Sequence, residues 1–140
     1  MSTEQIKAMI HRLYEALNNH NLDIMDELLA ETYISHANPP RPDKGLDENK
    51  NMAAGYFAVF PDMHTSIDEI LVDGDAVAYR WVAEATHTGS APSFPFPPTG
   101  KKVIVTGCSM LHVKDGKITD EWEYFDQTAL LEQLGVMEPS

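Results

Sequence analysis

Apolar residues at the start of the chain recur at helical spacing: Ile6, Met9, Ile10, Leu13 and Leu17. Ser2 and Gln5 stand three apart in front of them, the spacing of a capping box. The run Asn18-Asn19-His20-Asn21 ends this helix, and Asn21 can cap a second, short one carrying Leu22, Met25, Leu28 and Leu29. The proline-rich stretch from Ala37 to Pro42 is a loop, because proline removes donors and restricts the residue before it. A third helix is expected from about Asp47 to just before Pro61, with Met52, Tyr56, Phe57 and Phe60 as its large apolar residues.

The period then changes to two. Met63 to Val72 reads as a strand, Asp73-Gly74-Asp75 as a turn, and Ala76 to His87 as a long strand. Alternation in the latter puts Val77, Tyr79, Trp81, Ala83 and Ala85 on one face. Ala91 to Pro98 holds four prolines and two phenylalanines and is a stiff loop or edge segment. Lys102 to Lys114 is the next strand; Asp115-Gly116 turns the chain into another, Lys117 to Phe125. A last helix buries Leu130, Leu131 and Leu134 and stops at Gly135. Three helices, a hairpin-linked antiparallel sheet and a terminal helix make an α+β fold, expected as one domain over residues 1–140.

Composition narrows the partners. The content of hydrophobic residues, 43%, is enough for a packed core. The formal charge of −12, from 22 acidic and 10 basic residues, argues against nucleic acid and against an anionic membrane surface. The single cysteine, Cys108, allows no internal disulfide, and the N-terminus lacks the basic start and apolar run of a signal peptide. The expected location is cytoplasmic.

Six histidines are spread along the chain with no close helical pair and no cysteine cluster, so no metal site is expected. Between Lys117 and Phe125, alternation puts Glu121, Glu123 and Phe125 on one face and Trp122 and Tyr124 on the other. Two readings follow. Either the glutamates form a solvated face over a Trp122–Tyr124 core, which composition favours because Glu is rarely buried, or they face an interior pocket, where two neighbouring carboxylates push one pKa upward. Arg80, between Tyr79 and Trp81, either holds a substrate oxygen or pairs with a nearby acid such as Glu84.

Ordered signals run nearly end to end. They include His20-Asn21-Leu22-Asp23, Tyr33-Ile34-Ser35-His36, Phe60-Pro61-Asp62-Met63-His64, Thr86-His87-Thr88-Gly89, Pro97-Pro98-Thr99-Gly100-Lys101, Asp115-Gly116-Lys117-Ile118 and Gln133-Leu134-Gly135. In order and spacing they resemble the SnoaL-like polyketide (ester) cyclases of the nuclear transport factor 2-like superfold. The resemblance implies a cone-shaped curved antiparallel sheet wrapped on the N-terminal helices, a cystatin-like α+β barrel around a cavity. It implies intramolecular aldol cyclisation, or related isomerase or lyase chemistry, on a small apolar carbonyl compound. That chemistry uses no cofactor and one carboxylate as acid and base. A homodimer through the outer sheet face is implied as well.

Counted from Gly116, the position of the family's acid/base aspartate is Glu123, a carboxyl one methylene longer. Asp126 matches a second family aspartate, and its place before the last helix also suits an N-cap. Where the cyclases carry glutamine and histidine, two and four residues after a glycine, Gly107 is followed by Ser109 and Leu111. The expected substrate contacts are His36, Tyr56, Phe60, Arg80, His87, Ser109 and Glu121. For His36 and His87 a structural hydrogen bond is an equal alternative. The losses at Ser109 and Leu111 leave a rival in view, a non-catalytic module of the same fold that binds small hydrophobic ligands.

Overall fold

The computed structural model describes residues 1–137; residues 138–140 of the expected domain lie outside the described residues. The elements in chain order are α1 (Thr3–Asn18), α2 (Asp23–Leu28), β1 (Leu29–His36), α3 (Leu46–Val59), β2 (His64–Asp73), β3 (Ala76–Thr86), β4 (Lys102–Lys114), β5 (Lys117–Phe125) and α4 (Gln127–Leu134). The five strands form one curved sheet in the order β1-β5-β4-β3-β2. This is the expected α+β architecture.

One strand was not expected. β1 lies between α2 and α3 and pairs in parallel with β5, so the sheet is not wholly antiparallel. Leu29, expected on the apolar stripe of the second helix, is instead the first residue of β1.

Helix α1 begins as its sequence dictates. Ser2 Oγ accepts from the Gln5 N–H at 3.1 Å and Gln5 Oε1 accepts from the Ser2 N–H at 2.8 Å. Its stripe Ile6, Met9, Ile10 and Leu13 is buried in one core cluster with Val77, Tyr79 and Trp81 of β3. Each such aliphatic side chain removed from water is worth roughly 1.5–3 kcal/mol, so this face holds α1 to the sheet. Asn18 then ties the helix end to β2: its Oδ1 accepts from the Thr65 N–H at 2.8 Å and its Nδ2 donates to the Thr65 carbonyl at 2.9 Å.

The far end of the sheet has its own cluster of Val59, Phe60, Ala85, Val103, Leu130 and Leu134. Helix α4 closes it. Gly135 takes the left-handed conformation at φ 75°, ending the helix. Gln133 exchanges two hydrogen bonds with the Ile104 backbone, at 2.8 and 2.9 Å, where β5 has already ended beside β4. Among the described residues no helix is long and apolar enough to cross a membrane.

Candidate active site

The sheet register brings the site together in rows. On the inner face Tyr79 of β3, Ser109 of β4 and Glu123 of β5 stand directly opposite one another. The neighbouring rows are Val77–Leu111–Glu121 and Trp81–Gly107–Phe125. Period-two alternation carries the inner side chains of all three strands to one side. Helices α1 and α3 face these rows across a cavity of about 230 Å³. Its wall is mostly aliphatic and aromatic, and Met52 and Tyr56 of α3, both partly exposed, mark its outer rim.

Two carboxylates interrupt the apolar wall, and Glu121 and Glu123 both line the cavity. Glu123 is exposed by its accessible surface and lines the cavity, while the protein atoms packed around its carboxyl still desolvate it. Burial, and then the charge of Glu121, push the Glu123 carboxyl up to about 8. Burial raises Glu121 too, and a hydrogen bond donated by the Tyr33 hydroxyl opposes that shift by favouring the charged form. The outer face of β5 carries Tyr124, half-exposed, so the solvated-glutamate alternative does not describe this strand.

Four phenols surround the pair. Tyr14 and Tyr79 hold their hydroxyls 2.7 Å apart. Burial raises the pKa of Tyr14, Tyr33, Tyr56 and Tyr79, and the charge of Glu123 adds to the rise in each. One hydroxyl of the Tyr14–Tyr79 contact donates to the other, which leaves the acceptor's own hydrogen free for a third atom. Ser109 accepts from the Trp81 indole N–H at 3.1 Å and also stands as a hydrogen-bond partner to the Tyr79 hydroxyl.

Of the residues singled out in the sequence, Glu121, Glu123, Tyr56 and Phe60 line the cavity, and Ser109 is buried in its floor row. Four others lie elsewhere. Arg80 projects from the outer face of β3, as its place between inward Tyr79 and Trp81 requires, and pairs with Asp68 at 2.8 Å and Glu69 at 3.5 Å rather than with Glu84. His36 stacks on Trp122 at a centroid distance of 4.6 Å and meets Asp120 at 2.8 Å, outside the cavity; this contact raises its pKa. His87 is buried against Phe60 and Phe94, its Nδ1 accepting from the Thr99 N–H at 3.2 Å, and desolvation lowers its pKa. Asp126 accepts from the Ala129 N–H at 3.0 Å as the N-cap of α4. The loop Ala91–Pro98 contributes no residue to the cavity wall.

Tyr14, Tyr33 and Tyr79 are the site residues that sequence reasoning did not assign. The usable signal is chemical: a buried tyrosine needs a partner for its hydroxyl, and alternation puts Tyr79 on the same face as the apolar Val77 and Trp81. Among the described residues no group of three or more His, Cys, Asp or Glu side chains is arranged to hold a metal ion.

Solved structures with the same architecture are numerous. The candidate polyketide cyclase IdmH of Streptomyces antibioticus matches with a TM-score of 0.80 and 31% identity, over 92% of this chain and 97% of its own. A candidate polyketide cyclase of Bacillus cereus matches with a TM-score of 0.79 and 27% identity, over 98% and 87% of the two chains. AclR of Streptomyces galilaeus, a candidate hydroxylase, reaches a TM-score of 0.88 at 23% identity over 99% and 86%, which is a likeness of fold alone. No curated protein sequence matches the chain significantly. The family of SnoaL-like polyketide cyclases matches residues 7–134, which with the cavity and sheet above settles kinship: the chain belongs to the SnoaL-like polyketide cyclase family.

Proposed function

We propose that the protein is an acid/base enzyme that closes a ring in a small, largely apolar carbonyl compound by intramolecular aldol addition, with Glu123 as the proton carrier. The observation that carries this reading is a carboxyl raised to about 8 inside an apolar cavity. A general base is most effective when its pKa lies near the working pH, and an ordinary glutamate does not reach that range.

In the proposed reaction the Glu123 carboxylate takes a proton from a carbon flanked by carbonyl groups. The resulting enolate carbon attacks a second carbonyl carbon of the same molecule, forming the new C–C bond. The carbonyl oxygen becomes an alkoxide, and the neutral Glu123 carboxyl returns the proton to it. Nothing leaves, so the product is an isomer of the substrate. Each step is a proton transfer or an intramolecular addition, so the scheme calls on no metal or organic cofactor. In this scheme the hydroxyl of Tyr14, the cavity-lining member of the Tyr14–Tyr79 contact, donates to the enolate oxygen, where charge develops. Glu121 and Glu123 are the only charged residues of the cavity wall among the described residues, so a neutral substrate suits it better than an anion. The volume of about 230 Å³ lies below the ~300–1,000 Å³ usual for ligand pockets, which favours a compact molecule.

The test is hydrogen–deuterium exchange at the activated carbon of aryl-substituted 1,3-dicarbonyl methyl esters in D2O. Exchange accelerated by the native protein and lost in Glu123→Gln supports the reading. Binding of the same esters without any acceleration would favour the ligand-binding module. The family's homodimer belongs to the same reading: Ile104, Met110 and Tyr124 are exposed on the outer sheet face, and a monomer in sedimentation would remove that part of it.

A further inference from the structure

The two cavity carboxylates are not equivalent. They project from the same face of β5, two residues apart, close enough for each to feel the other's charge. Among the described residues Tyr33 donates a hydrogen bond to Glu121, and no side chain does the same for Glu123. Tyr33 is buried and sits on β1, the strand that pairs in parallel with β5 beside Glu121. A rigid ring on a neighbouring strand can deliver its hydroxyl to one carboxylate and not to the other.

We infer that Tyr33 is a positioning residue that decides which of the two cavity carboxylates holds their shared proton, keeping Glu121 charged and leaving the proton on Glu123. The meaning of this for catalysis rests on the acid/base reading above; the proton placement itself does not. A hydroxyl donor stabilises the charged acceptor more than the neutral one. Two like charges in one enclosed space will not both form until the pH is well above the ordinary carboxylate range. The single bond from Tyr33 therefore breaks a near tie. It sends the low-pH ionisation to Glu121 and the high one to Glu123.

Among the described residues no second side chain is hydrogen-bonded to either carboxylate. The groups facing the pair are the phenols of Tyr14 from α1, Tyr56 from α3 and Tyr79 from β3, with the Ser109 hydroxyl from β4. No Lys, Arg or His is part of the cavity wall among the described residues. Arg41 influences the site only through Tyr56, at the outer rim. Tyr14 and Tyr79 are bonded to each other.

The experiment is a carboxyl-carbon NMR titration of protein labelled at the glutamate side-chain carboxyl, with the Glu123 signal assigned by its loss in Glu123→Gln. It needs no substrate, so it stands or falls apart from the proposed reaction. In the native protein Glu123 carries the high titration step. In Tyr33→Phe that step passes largely to Glu121, and the main step of Glu123 moves down by about one unit or more. In Glu121→Gln the Glu123 midpoint also falls, and adding Tyr33→Phe to that variant moves it no further, because Tyr33 acts through Glu121. Tyr33→Leu gives the same readout if the phenylalanine variant does not fold. A high step that stays on Glu123 in Tyr33→Phe overturns the inference, as does a further shift in the double variant. If the placement holds and turnover is absent, only the reaction is lost. If turnover exists, its acid limb moves down with Glu123.

Discussion

The indole of Trp81 lies across Gly107, its direct partner in the β3–β4 register, so closely that a Cβ at that position would overlap three atoms of the ring. The absence of a side chain lets the ring lie flat enough for its N–H to reach Ser109 at 3.1 Å. Gly107→Ala therefore pushes Trp81 into the cavity that it lines and breaks the bond to Ser109. The expected cost is ~1–3 kcal/mol, the usual range for overpacking, read as a lower denaturant midpoint at unchanged slope. Ligand capacity of the cavity falls with it. A variant as stable as the native protein would show that the ring has room to move.

Glu123 tests the proposed chemistry through two substitutions. Glu123→Gln keeps the shape and removes the transferable proton, and turnover is expected to fall ~10²–10⁴-fold, the usual worth of a general acid/base. Glu123→Asp keeps the carboxyl and withdraws it by one methylene; a displacement of ~1 Å can cost about a hundredfold, so partial activity is expected. In the native protein kcat/KM rises with pH and levels near the Glu123 value of about 8. An acid limb near 4.5, the ordinary value, would mean that the ionising group is not an enclosed carboxyl.

The same carboxyl makes stability depend on pH, with a sign opposite to that of most acids. Its folded-state pKa lies above the ordinary 4.5, at about 8, so the folded protein binds this proton more tightly than the unfolded chain does. Below 4.5 the group is neutral in both states and carries no penalty. Between 4.5 and 8 the unfolded chain ionises first, so stability is lost as the pH rises; above 8 the loss is complete. Glu123→Gln is neutral throughout. Its melting temperature should match that of the native protein near pH 5 and exceed it near pH 8.5, and a difference independent of pH would contradict the raised value.

The β-hairpin part of this molecule is legible in its sequence because alternation and turn signals agree there. β4 and β5 begin and end where the pattern of Lys102–Lys114 and Lys117–Phe125 places them. β1 is not legible, because its pairing with β5 is irregular between Leu29 and Ile34 and its burial follows no period of two. Leu29 continues the preceding helical stripe in sequence, although the chain has already become a strand there. Missing β1 hid the role of Tyr33, since only its pairing with β5 brings that hydroxyl to Glu121. Arg80 is legible from the pattern, since its alternation with Tyr79 and Trp81 assigns it to the outer face, where it pairs with acids, Asp68 and Glu69, rather than with Glu84. Glu123 needed the family resemblance, because composition alone favours solvated glutamates.

Asp126 separates capping from catalysis. Its carboxylate accepts the Ala129 N–H at 3.0 Å at the start of α4, and it is not part of the cavity wall. Helix α4 buries Leu130 and Leu134 in the cluster that closes the far end of the sheet, so a frayed first turn loosens that closure. Asp126→Ala is expected to cost ~0.5–2 kcal/mol, while Asp126→Ser, which retains a capping oxygen without the charge, should recover most of it. At a temperature where both variants remain folded, turnover and its pH profile should match the native protein. A large fall in kcat for Asp126→Ser at full stability would place the carboxylate in the reaction and contradict the capping role.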